Sequence, residues 1–179
     1  MSQGYPDMEV EYVSRKKDVL DSKQHSESYH QGLQDILKCV SRIVDLNQGP
    51  KTVAVVGCGP SPQTMADLQE AGYEPIGVEP VEESLIAARN FLNSEDLVLQ
   101  GTAEQMPFAD ATQRIVIMEN VLEHVDSPAK SLSEIFRVLM PGGVLFIRTT
   151  NRTRFSWMGK NWEYNVPFYN WLPACVKES

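Results

Sequence analysis

The chain has 179 residues, 42% hydrophobic and 22% charged, with a formal net charge of −8. That length suits one domain with a sizeable core, alone or with an appendage. The acidic balance argues against a general polyanion binder, and no nucleic-acid partner is expected: the best basic cluster, Arg15-Lys16-Lys17, is short and reads as a solvated turn.

Cys39, Cys58 and Cys175 are widely spaced, with neither a disulfide framework nor zinc spacing, so no metal site is expected. A reduced, cytoplasmic protein is the simplest reading. The opening MSQGYPDMEVEY carries acids where a signal peptide needs a basic start and an apolar run. No stretch approaches the roughly 18 apolar residues of a membrane span.

In chain order, residues 1–25 are polar and charged and are expected to form a loosely held arm. From Ser26 the pattern changes. Tyr29, Leu33, Ile36, Leu37, Val40, Ile43 and Val44 recur at helical steps, with Ser26 or Ser28 as the cap. A first strand is expected at 52–56, entering the turn Gly57-Cys58-Gly59. Pro62 then fits the first turn of a helix whose inner face is Met65, Leu68 and Ala71, stopped by Gly72. Residues 75–79 form a second strand. A helix follows over 82–93, on Leu85, Ile86, Arg89 and Leu92. The third strand is 97–99, and a long polar loop leads to a fourth at 115–118. Ser127-Pro128 caps a helix reaching Leu139 on Leu132, Ile135, Phe136 and Leu139. After Pro141-Gly142-Gly143, a fifth strand spans 144–149. Apolar strands alternating with helices predict an α/β fold: a Rossmann-like, doubly wound parallel sheet of about five strands with helices on both faces.

In such sheets ligands lie beyond the carboxyl ends of the strands. Glycines at the first turn permit positive φ and close approach of a ligand to backbone N–H groups. Glu79, ending the second strand, is either the acceptor for a ribose diol or a solvated acid in the turn with Pro80; the upstream glycine turn favours the first. Glu104, with Ala103 and Gln105, either flanks an adenine ring or lies in a polar loop. A dinucleotide fingerprint would need glycine where Pro62 stands.

Taken together, VAVVGCGPS, IGVEP, GTAEQMPFAD, ENVLEHVDSP and VLMPGGVLFIRTTNRT resemble the class I S-adenosylmethionine-dependent methyltransferases. The similarity covers about residues 50–152 and is nearest the branch that includes ubiquinone- and menaquinone-pathway methyltransferases. It implies S-adenosyl-L-methionine as cofactor. It places Gly57, Cys58 and Gly59 at the methionine end, Glu79 with Pro80 at the ribose, Ala103 and Glu104 at the adenine, and Glu119 and Asn120 beside the methionyl part. Three positions depart from the family's pattern. Val55 stands where an acid is usual, Ser61 where a third glycine is usual, and Arg114 where aspartate is frequent.

The resemblance divides the chain into the arm (1–25), the cofactor-binding domain (26–150) and a C-terminal segment (151–179). That last segment holds Phe155, Trp157, Trp162, Tyr164, Phe168, Tyr169 and Trp171, and is expected to be a lid or part of a substrate region. The family's sheet has seven strands, so five leave it incomplete, as in a truncated product, a short isoform or an N-terminal fragment. An uncovered fifth strand would then be open to self-association.

The activity implied is methyl transfer to a small-molecule acceptor, at oxygen, carbon or nitrogen. The alternative is a non-catalytic cofactor-binding or scaffold domain, or an inactive fragment. For a hydroxyl acceptor His124 could serve as the base. The other reading makes it a residue that ties down the 119–126 loop, which the polar character of that loop favours, and Glu123 and Asp126 share the ambiguity.

Overall fold

The computed structural model describes residues 23–149, with side chains from residue 32 onward. The arm and the aromatic segment expected from the sequence lie outside these residues, apart from the start of the first helix. In chain order the elements are α1 (Lys23–Val40), β1 (Thr52–Val56), α2 (Gln63–Glu70), β2 (Glu74–Glu79), α3 (Glu82–Leu92), β3 (Val98–Gln100), β4 (Gln113–Glu119), α4 (Pro128–Val138) and β5 (Leu139–Arg148).

The five strands form one sheet in the order β3-β2-β1-β4-β5, and every pairing is parallel. The chain winds outward from β1 to β3, then crosses back to lay β4 on the other side of β1. That reversal opens a crevice at the carboxyl ends of β1 and β4. Strand alternation divides the core. Val53, Val55, Ile115 and Ile117 face α1, α2 and α3, and pack on Leu33, Ile36, Met65, Leu68, Leu85 and Ala88. Ala54, Val56, Val116 and Met118 point the other way, against Ile135 and Val138 of α4 and against Ala103 and Met106 of the loop after β3. Both faces of the central strands are thus apolar, which explains why their sequence does not alternate.

Several elements differ from the expectation, each for a local reason. Helix α1 begins at Lys23 rather than Ser26 and ends at Val40; Ser41–Leu46 turns away and leaves Ile43 exposed. Pro62 is the N-cap of α2, one residue before the helix, and Ala71 lies beyond its last turn, exposed. The inner face of α2 is therefore Met65, Asp67 and Leu68. On α3 the buried residues are Ser84, Leu85 and Ala88, while Ile86 is outside and Arg89 turns its guanidinium to the Val98 carbonyl at 2.9–3.0 Å. Strand β3 runs one residue later than expected. Strand β5 begins at Leu139, and its Pro141-Gly142-Gly143 forms an irregularity in the β4 pairing rather than a turn before it.

The largest difference is the face of α4. Ser127 does cap it, accepting the Lys130 N–H, with Pro128 at the first helical position. Its buried stripe, however, is Ser131, Ile135 and Val138, whereas Leu132 is 44% and Phe136 82% exposed. The apolar spacing admitted either stripe; the packing of Ile135 and Val138 against Ala54, Val56, Val116 and Met118 selects this one, with Ser131 buried on the same face. Ile135→Ala is accordingly expected to cost about 2–5 kcal/mol of stability. Phe136→Ala should stay within about 0.5 kcal/mol. Urea unfolding of the two variants checks the assignment, and equal losses would contradict it.

Candidate functional site

The glycine turn is built by three neighbours at once. Gly57 and Gly59 take φ of 64° and 67°, in the left-handed region that side chains disfavour. The Gly57 and Cys58 N–H groups donate to the Val78 carbonyl at 2.8 and 3.3 Å, fastening the turn to β2. On the other side a Cβ added to Gly57 would lie 2.5 Å from Cγ2 of Val121, which follows β4. The Cys58 side chain packs inward: a Cβ on Gly77 would come within 2.8 Å of its Sγ and of Met65 Sδ. Cys58 thus packs its side chain against β2.

Glu79 ends β2 and is only 6% exposed. One carboxylate oxygen accepts the Gly59 N–H at 2.9 Å and the other accepts the Val81 N–H at 3.1 Å. The side chain therefore locks the glycine turn to the start of α3, with Pro80 exposed between them. The Gly59 and Val81 N–H groups engage one oxygen each, so both oxygens are directed at the turn and the start of α3.

The loop after β3 is held against α4. Ala103 is buried in the core, and Thr102 and Gln105 bridge to each other. Glu104 accepts the Ser127 N–H at 3.2 Å. Burial raises its pKa, but that bond and other hydrogen bonds outweigh the effect and hold the carboxyl below its usual value. Further along, Glu134 accepts the Met106 N–H at 2.8 Å, and Arg137 donates to Glu134, Asp110 and the carbonyls of Met106 and Phe108. Hydrogen bonding from Arg137 is the leading cause that depresses the Glu134 pKa. This anchor was missed from the sequence; its only trace was Glu134 and Arg137 three apart on a helix, a common surface spacing.

At the end of β4, Glu119 is paired in register with Arg148 of β5, and their side chains form an ion pair. Burial pushes the Glu119 carboxyl up, and Arg148 opposes that shift. Asn120 takes φ 53°, and its N–H donates to the Arg148 carbonyl at 2.8 Å. His124 is exposed, and its N–H closes a turn onto the Val121 carbonyl at 2.9 Å.

The carboxyl edge of the sheet thus joins the glycine turn to Glu79 on one side and to the Asn120–Val121 turn on the other. Residues 54–147 match a family described as a methyltransferase domain. The chain belongs to the class I S-adenosylmethionine-dependent methyltransferases.

Relatives agree with the methyltransferase assignment. A Mycolicibacterium smegmatis protein named "probable S-adenosylmethionine-dependent methyltransferase" is 34% identical over 107 residues, covering 59% of this chain and 40% of that protein. An "uncharacterized methyltransferase" of Schizosaccharomyces pombe is 30% identical over 122 residues, covering 62% of this chain and 44% of that one. The chain spans less than half the length of these two relatives. Among solved structures, a Methanococcus maripaludis protein matches 82% of this chain and 66% of its own with a TM-score of 0.65; at 17% identity that likeness is one of fold. The family's cofactor is S-adenosylmethionine. Among the described residues no helix is long and apolar enough to cross a membrane, and no cluster of side chains could hold a metal ion.

Proposed function

We propose that this methyltransferase domain binds S-adenosyl-L-methionine at the carboxyl edge and transfers its methyl group to a small-molecule acceptor. The observation that carries the reading is the Glu79 carboxylate: buried at the end of β2 and bonded to the Gly59 N–H of the glycine turn. Glu79 and Pro80 hold the ribose. Gly57, Cys58 and Gly59 present backbone to the methionyl end, where a side chain would intrude. Ala103 and Glu104 flank the adenine, with Glu104 kept in place by Ser127. Glu119 and Asn120 border the methionyl part.

Bound there, the cofactor supplies a methyl group on a sulfonium, already electrophilic. What the chain adds is position and exclusion of water. With Val55 apolar, Glu119 stands one residue past the end of β1 on the β4 side, since Met118 pairs with Val56, as Glu79 does on the β2 side. Its negative charge suits a cationic cofactor. His124 takes a loop-holding role in this reading, with the base role kept for a hydroxyl acceptor.

Labelled-methyl transfer into small-molecule fractions of an extract tests the proposal. Incorporation that needs the intact chain supports it. Cofactor binding without transfer to any fraction favours the non-catalytic reading, which the departures at Val55 and Ser61 motivate. No binding at millimolar ligand contradicts the methyltransferase reading and leaves the scaffold or inactive-fragment one.

A further inference from the structure

We propose that Arg148 is a positioning residue for the cofactor site, fixing the Glu119–Asn120 turn that seats Val121 on the glycine turn. The inference rests on the cofactor reading of this edge.

Arg148 acts twice on the same turn. Its carbonyl accepts the Asn120 N–H at 2.8 Å, and its guanidinium pairs with the Glu119 carboxylate. Asn120 between them has φ 53°, a left-handed state that asparagine tolerates better than most side chains and that reverses the chain here. That reversal brings the next residue, Val121, against Gly57, where an added Cβ would lie 2.5 Å from its Cγ2. A connected path therefore runs from β5 through the β4 turn to the glycine turn.

An ordinary rim ion pair would not have this reach. The Arg148 side chain is 53% exposed, and the charge attraction of such a pair is worth little by itself. Its consequence comes from geometry: the Glu119 side chain is only 17% exposed, and it immediately precedes the residue at which the chain reverses. Removing the guanidinium leaves a buried carboxylate without this counter-charge and only the carbonyl bond to hold Asn120. The adenine side hangs on separate supports, Glu104 to Ser127 and Glu134 to Met106, which do not involve β5. The effect of Arg148 is therefore directed at the methionyl end.

Calorimetric titration of the full chain with S-adenosylhomocysteine and with 5′-methylthioadenosine, which lacks the amino-acid part, tests this. Arg148→Met is expected to weaken S-adenosylhomocysteine about tenfold while changing 5′-methylthioadenosine by less than about twofold. Arg148→Lys, which keeps the charge, should recover most of the loss. Unchanged S-adenosylhomocysteine affinity in Arg148→Met, or equal losses for both ligands, overturns the inference. Should the methionine variant not fold, Arg148→Gln carries the same selective expectation and the same overturning results. A wild-type chain that binds neither ligand overturns the cofactor reading itself, and so is distinct from a failure at Arg148.

Discussion

Glu79→Ala is expected to weaken S-adenosylmethionine binding by about 100-fold, the loss of two charge-assisted hydrogen bonds at about 1.5 kcal/mol each. The same change removes the acceptor for the Gly59 and Val81 N–H groups. Leaving these poorly satisfied should lower stability by about 1–3 kcal/mol. Binding and folding losses are separable because Glu79→Gln keeps one acceptor oxygen. It should retain part of the stability while still losing most of the affinity, since its amide cannot accept from both ribose hydroxyls. Calorimetry for binding and urea unfolding for stability measure the two effects. Affinity unchanged in Glu79→Ala would remove the ribose assignment.

The second large effect is expected at Gly57. Its φ of 64° disfavours any Cβ, and the space a Cβ needs is occupied by Val121. The backbone strain of alanine there is about 1–2 kcal/mol. With the clash added, Gly57→Ala should cost about 3 kcal/mol in all and abolish measurable cofactor binding. Adding Val121→Ala opens the space but not the backbone, so the double variant should regain about 1 kcal/mol, a non-additivity expected of contacting residues. Strict additivity in unfolding experiments would show that the glycine turn and the β4 turn do not meet as described.

These two positions mark how far the sequence could be read. The glycine turn, the acid that ends β2 and the succession of five strands along the chain were legible because each rests on local chemistry: apolar runs, glycines fit for positive φ, and an acid at a strand end. The buried face of α4 was not. Leu132 and Phe136 share the helical spacing of Ile135, and only the sheet beneath decides which stripe turns inward. Nor was the service Glu104 gives to Ser127, because its partner lies 23 residues along the chain. Arg114 was noted only as a departure, but it has a structural use: it donates to the Asp45 carbonyl at 2.9 Å and lies against Gly49, where an added Cβ would be 2.3 Å from its Nη1. Long-range side-chain bonds of this kind leave no period and no motif. The same is true of Arg148, which closes a strand in the sequence and holds a turn in the fold.

The central claim is that the cofactor seats on the edge formed by the glycine turn, Glu79 and the Asn120 turn. An amide-resolved NMR titration of the full chain with S-adenosylhomocysteine tests it most directly. The account predicts the largest shifts at Gly57, Cys58, Gly59, Val81, Ala103 and Asn120. Shifts concentrated instead in the groove lined by Ser41–Asn47 and Tyr73, which does not include these residues, would contradict it.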